Sequence, residues 1–205
     1  ADGNLYIGGL LLNVGDANGD GIVKWDGSSL SSLGTGITAG AVYYVNDIKI
    51  DPSTGYVYAC GAFTEMGGVA NTAGIAYWDG SAWNALGSGM GGSVSHIYSM
   101  EFAPNGDLYI GGNFTGADGS GNGDYICYWD GSNFNAVGDT ELSALVNDII
   151  FDENGNLYAT GNFTNAGGDA KADYVAVFKG NSWEGLGTGL NGNGHKIYYY
   201  NGAIY

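Results

Sequence analysis

The chain has 205 residues, 44% of them hydrophobic and 14% aromatic, with 40 glycines and two prolines. Twenty-one acidic residues face five lysines and no arginine, a formal net charge of −16. That balance excludes nucleic acid, whose phosphates need clustered cationic donors, and argues against an anionic membrane surface. No apolar run approaches the roughly 20 residues of a membrane-spanning helix, so no membrane insertion is expected.

In chain order, "GNLYIGG" at 3–9 predicts a strand, followed by a glycine- and acid-rich loop over 10–21. "KWDGSSL" from Lys24 predicts a strand, a tight turn at Asp26-Gly27 and a returning strand that carries Leu30. "VNDI" at 45–48 belongs to a strand that turns at "DPSTG", after which "GYVYACG" at 55–61, a loop over 63–74 and "YWDGSAW" at 77–83 repeat the first series. The third copy is the best preserved. "SHIYSMEFA" is its first strand and ends at "PNG", "DLYIGGNFT" its second, "YICYWDG" its third, and "NFNAVG" its fourth, with a loop over 114–124 between the second and third. The fourth copy repeats "VNDI" at 146–149, "GNLYATG" at 155–161 and a loop over 163–173. It then reads "FKGNSW", with Lys179 in place of the turn Asp. "GAIY" at 202–205 begins another copy.

Trp25, Trp78, Trp129 and Phe178 lie 53, 51 and 49 residues apart. The repeat units therefore run over about 3–54, 55–105, 106–154 and 155–201, within a single domain of 1–205. Four antiparallel strands in roughly 50 residues is the size of a propeller blade. Trp83, Trp183, Phe134 and Leu30 fall at one position of the last strand, where a large side chain fills the space between blades. The paired glycines let neighbouring backbones approach closely.

Gly111-Gly112, Tyr77 and Trp83, at their spacing within "YWDGSAWNALGSGM" and "NGDLYIGG", make the chain resemble kelch repeats. More closely, it is similar to the WDG-rich, kelch-like repeats of large secreted bacterial surface proteins, many from Bacteroidota. The resemblance covers the whole chain, which departs from kelch in lacking its basic residues. It implies an all-β propeller of four-stranded blades and an extracellular or cell-surface location. The chain starts at a second strand and "GAIY" duplicates "NLYI", so about four blades of a larger ring are expected rather than a closed four-bladed one. Residue 1 falls inside a repeat, as in a mature or fragmentary chain.

Strand alternation sorts the connections onto two faces. The tight turns share one, and the long second-to-third loops share the other with the blade-to-blade links, so a site is expected among the long loops. Asp16, Asn18 and Asp20 alternate in "DANGDG" as calcium ligands do. They align with Val69, Asn71 and Ala73, with Ser120, Asn122 and Asp124, and with Asp169, Lys171 and Asp173. Ca²⁺ is thus a candidate ligand at Asp16, Asn18 and Asp20, although Gly27 and Lys24 stand where further ligands would be. The competing reading is that Asp, Asn and Gly form turns on a solvated loop.

Asp47 and Asp148, in the two "VNDI" segments, are expected to line a channel or to hydrogen-bond to neighbouring strands. His96 and His195 do not align with each other in the repeat. Cys60 and Cys127 sit at non-equivalent positions and read as small buried apolar residues. "NFT" at 113–115 and 162–164 fits a glycosylation sequon but belongs to the repeat itself. The expected function is a non-enzymatic extracellular module that binds a protein or glycan and needs no cofactor. The alternatives are a piece of a secreted propeller enzyme, carbohydrate-active or oxidase, and a viral or phage fibre domain.

Overall fold

The computed structural model describes residues 3–40, 43–119, 123–139 and 142–205. They form antiparallel sheets with one helical turn, a 3₁₀ turn at Ala166–Gly168. The chain divides into two compact units, one of residues 1–90 and 95–97, the other of 91–94 and 98–205.

The first unit opens with a three-stranded sheet of β1 (Leu5–Gly8), β2 (Ile22–Trp25) and β3 (Leu30–Ser32). Strand β4 (Ile37–Ala39) follows, then β5 (Tyr44–Ile50), β6 (Val57–Ala62), β7 (Glu65–Met66), β8 (Ile75–Trp78) and β9 (Trp83–Asn84). A four-stranded sheet runs in the order β5-β6-β8-β9, and β4 pairs with β7.

The second unit carries two four-stranded sheets. One contains β10 (Ser93–Phe102), β11 (Leu108–Thr115), β12 (Ile126–Trp129) and β13 (Phe134–Ala136), although residues 95–97 of β10 cluster with the first unit. The other contains β14 (Val146–Phe151), β15 (Leu157–Gly161), β16 (Val175–Lys179) and β17 (Ser182–Gly185). Strands β18 (Tyr199–Tyr200) and β19 (Ala203–Ile204) form a separate hairpin. Each full sheet thus runs from first to fourth strand, one strand out of phase with the repeat units read from Trp spacing. The sheets do not close into a ring among the described residues: β1 bonds only to β2, and β18 only to β19.

Register repeats with the sequence. Tyr58 lies opposite Tyr77 and Val57 opposite Trp78, just as Tyr109 lies opposite Tyr128 and Leu108 opposite Trp129. In the second, third and fourth copies the residue two positions after the Leu or Val is buried, as Ala59, Ile110 and Ala159 show, which is the inward half of a period-two pattern; Ile7 of the first copy is exposed. Cys60 and Cys127 are both buried thiols. Burial raises the Cys127 thiol well above its ordinary value, with the Asp118 charge adding to it, so it is a packing group and not a nucleophile.

The last-strand aromatics enter the core as their positions suggest. Trp83 and Trp183 are each 3% exposed and Phe134 is 9% exposed, while Leu30 is half-buried. Trp83 Nε1 also donates to the Leu33 carbonyl at 2.6 Å. The equivalent Trp183 Nε1 is buried with no partner among the described residues.

Close approach explains the first glycine of two pairs. A Cβ on Gly8 would stand 2.6 Å from Val45 Cγ1, and one on Gly111 2.7 Å from Val146 Cγ1. Each glycine therefore admits the valine of the next "VNDI" strand.

The second-to-third loops close on one backbone conformation. Gly21, Gly74, Tyr125 and Tyr174 occupy the same place at φ of 77°, 75°, 64° and 63°. Their N–H groups donate to the carbonyls of Leu11, Phe63, Phe114 and Phe163.

Candidate functional site

The acidic side chains at the tight turns have a common local task. Asp26 accepts hydrogen bonds from the Ser28 and Ser29 N–H groups at 2.8 and 2.9 Å. Asp79 does the same with Ser81 and Ala82, both at 2.8 Å, and Asp130 with Ser132 and Asn133 at 2.8 and 2.7 Å. These are Asx turns, which a carboxylate favours over any neutral side chain because N–H dipoles converge on its charge. The bonds from Ser29 and then Ser28 hold Asp26 below the usual carboxylate range, and those from Ala82 and Ser81 do so for Asp79. In the "DPSTG" turn burial pushes Asp51 up, but bonds from Thr54 and Ser53 outweigh it and lower the carboxyl.

The acids of the long loops are also engaged by main chain. Asp16 Oδ1 accepts the Asn18 N–H at 2.8 Å and Oδ2 accepts the Ser32 N–H at 3.1 Å, which lowers its carboxyl. Asp20 Oδ1 accepts the Asn13 N–H at 2.7 Å. The fourth copy repeats the scheme: Asp169 accepts from Lys171 and Gly185, each at 2.9 Å, and Asp173 accepts from Asn165 at 2.9 Å. In the third, Asp124 accepts the Gly116 N–H at 2.7 Å; Ser120 and Asn122 lie outside the described residues. The second copy substitutes a hydroxyl, Thr72 Oγ1, which accepts the Met66 N–H at 2.9 Å. Asp16 and Asp20 thus brace the loop in which they were read as calcium ligands, and Asn18 is exposed beside them. No group of three or more His, Cys, Asp or Glu side chains suited to a metal occurs among the described residues.

The "VNDI" residues tie first strands together within each unit. Asn46 Nδ2 donates to the Ile97 carbonyl at 2.6 Å, and Asn147 Nδ2 to the Gly194 carbonyl at 2.7 Å. Asp148, 8% exposed, accepts from Ser99 Oγ at 2.8 Å and from the Ile197 N–H at 3.0 Å, with Lys196 Nζ at 3.4 Å. Asp47 is half-buried and accepts the Ile48 N–H at 2.8 Å. His96 lies 5.9 Å from the Tyr44 ring with Nδ1 2.9 Å from Ser95 Oγ, and His195 is exposed.

Two grooves among the described residues lie away from the long loops. A groove of about 260 Å³ in the first unit is lined by Tyr6, Lys24, Tyr56, Trp78 and Asp79, with the Thr54-Gly55 turn at its rim. One of about 370 Å³ in the second unit is lined by Pro104, Asn105, Tyr109, Phe151, Glu153 and Asn154. Both sit where the second-strand tyrosine of one sheet meets the first-to-second turn of the next, at the tight-turn end and not among the long loops. Sequence reasoning passed over these residues because it assigned the turns to scaffold. The signal was the tyrosine of "LYIGG", which alternation places on the face opposite the Leu and Ile, buried at Leu108 and Ile110 but exposed at Leu5 and Ile7.

No protein-family model and no curated protein matches the sequence. Among solved structures, the chain resembles a gluconolactonase from Xanthomonas campestris, with a TM-score of 0.53 and 16% identity. The match covers 87% of this chain and 58% of that one. YCF48 bound to a D1 peptide matches with a TM-score of 0.44 and 15% identity over 86% of this chain and 48% of that chain. The chain therefore spans less than two thirds of either protein. At 16% identity the gluconolactonase likeness speaks to fold alone, which is propeller-like and all-β.

Proposed function

We propose that this chain is a non-enzymatic binding module that works outside the cell, its repeated sheets presenting surface to a protein or a glycan. One observation carries the reading: the acids of the tight turns and long loops are bound to main-chain N–H groups. Asp26, Asp79, Asp130, Asp16 and Asp169 each accept at least two. Carboxylates committed in this way make a stiff scaffold, and a stiff scaffold lowers the ordering cost of binding. The extracellular setting rests on the resemblance to secreted WDG-rich repeats. Calcium at Asp16, Asn18 and Asp20 belongs to the proposal as a structural ion, since both carboxylates already brace their loop.

The enzyme alternative has a direct test. The chain is incubated with gluconolactone and with a set of nitrophenyl glycosides, and product is followed by absorbance and pH-stat. The expected outcome is no turnover above background. Turnover that one substitution abolishes, such as Asp148→Asn in a variant that still melts cooperatively, would overturn the binding-module reading.

A further inference from the structure

The two grooves share an architecture that their sequences only partly share. In the first, Tyr6 of β1 faces the Thr54-Gly55 turn that precedes β6. In the second, Tyr109 of β11 faces the Asn154-Gly155 turn that precedes β15. Tyr6 and Tyr109 hold the same place in "NLYIGG" and "DLYIGG", and Gly55 and Gly155 open "GYVYACG" and "GNLYATG". The same kind of groove has thus formed twice, once in each unit.

Their aromatic walls are held in place. Tyr56 stacks on Tyr77 with centroids 5.4 Å apart, and Trp78 meets Trp83 edge-on at 5.7 Å. Tyr109 stacks on Tyr128 at 5.1 Å and meets the Phe151 ring edge-on, also at 5.1 Å. Rings so fixed present an apolar face with little entropy left to lose on binding. The Thr54 hydroxyl at the first rim is bonded to Asp51 and to the Tyr56 N–H, and the Asn105 amide at the second to Asp107. The polar contacts offered to a ligand are therefore the Ser32 hydroxyl in the first groove and the Asn154 amide in the second.

Charge narrows the ligand. Lys24 and Asp79 enter the first groove together with opposite signs, which disfavours a cation and an anion alike. Glu153 lines the second, and a net charge of −16 repels anions from the whole chain. Volumes of about 260 and 370 Å³ lie at or below the low end of the ~300–1,000 Å³ of sites for drug-sized molecules, and so suit one or two small rings. A pyranose ring has an apolar C–H face and a polar hydroxyl rim, matching an aromatic wall edged by a hydroxyl or an amide.

We propose that these two seam grooves, built on Tyr6 with Trp78 and on Tyr109 with Phe151, are binding subsites for neutral carbohydrate rings. The proposal rests on the binding-module reading and gives it a ligand class and a location, at the tight-turn end of the sheets.

The test is calorimetric titration with cellobiose, lactose and N,N′-diacetylchitobiose, with galacturonic acid and a polyproline peptide as comparators. At least one neutral disaccharide should saturate the protein. Combining Tyr6→Ala with Tyr109→Ala should weaken it by about tenfold or more. Because those rings also pack against neighbours, a second pair, Thr54→Trp and Asn154→Trp, plugs the grooves from exposed turn positions and should weaken binding equally; Thr54→Trp loses its bond to Asp51 and lowers Tm somewhat, whereas Asn154→Trp should leave Tm nearly unchanged. Sugar affinity unchanged by the plugs would overturn the location while leaving a glycan-binding module intact. Failure of every neutral sugar, or preference for the acid or the peptide, would overturn the ligand class. Hydrolysis of a bound sugar is the separate outcome that would defeat the binding-module reading itself.

Discussion

Trp83 and Trp183 hold the same place in two copies and are equally buried, yet only Trp83 Nε1 has a hydrogen-bond partner among the described residues. Replacing each by Phe separates ring packing from the N–H bond. Trp83→Phe should cost about 1 kcal/mol more than Trp183→Phe, the usual net worth of a buried hydrogen bond, as read from urea melts. Equal losses would mean that the Leu33 contact contributes nothing.

Titration reports on the turn carboxylates from the other direction. Asp26 and Asp79 are depressed below 3.8, so they favour the fold above that pH and cease to do so as pH falls further. Tyr58 and Tyr109 are raised from 10.0 to about 12, chiefly by burial, so their neutral phenols favour the fold up to pH 10 and that support is lost between 10 and 12. Tm measured across pH should therefore fall at both ends, and Asp79→Asn should flatten the acid limb alone.

The strand pair is the unit of variation among copies. Asp79 accepts from Asn84 Nδ2 at 3.0 Å, and Asp130 from Asn135 Nδ2 at 3.0 Å. The fourth copy places Lys179 and Glu184 at those positions, 4.0 Å apart and exposed. Polarity is reversed across one hairpin while its Gly180 keeps a positive φ of 65°. An exposed pair of this kind is worth little, so the turn's glycine and not its acid keeps the hairpin. Between sheets the constraint is steric. Gly111→Ala drives a methyl to 2.7 Å from Val146 Cγ1 and should cost about 1–3 kcal/mol. In a Val146→Ala background the same change should cost less, read as a double-mutant cycle from the same melts; an equal cost would place the clash elsewhere.

At the scale of the whole chain, the repeated sheets were legible because Trp spacing and "LYIGG" alternation are local signals copied four times. Hydrogen-bonded sheets start one strand away from the repeat units because a tandem repeat can be cut at any phase, while a sheet is delimited by its pairing. The grooves were not legible. They depend on which second-strand tyrosine meets which turn of the following sheet, as Tyr6 meets Thr54 and Tyr109 meets Asn154, opposite ends of one repeat unit that only the fold brings together. The loop acids were visible as a pattern but ambiguous in purpose, since a carboxylate that suits an ion also suits a cluster of N–H groups.

The loop ends at Gly21, Gly74, Tyr125 and Tyr174 bear on how such a chain diversifies. All four adopt a left-handed backbone, a conformation that costs a residue with a side chain about 1–2 kcal/mol and glycine little. Tyr125 also packs its ring against the second unit's core. The duplicated copies therefore serve as an inherited mutational experiment: the loop's hydrogen bonds dictate the geometry, and the residue there can be exchanged wherever packing offsets the strain. Descendants of such a repeat are free to spend that position on an aromatic surface without altering the course of the chain.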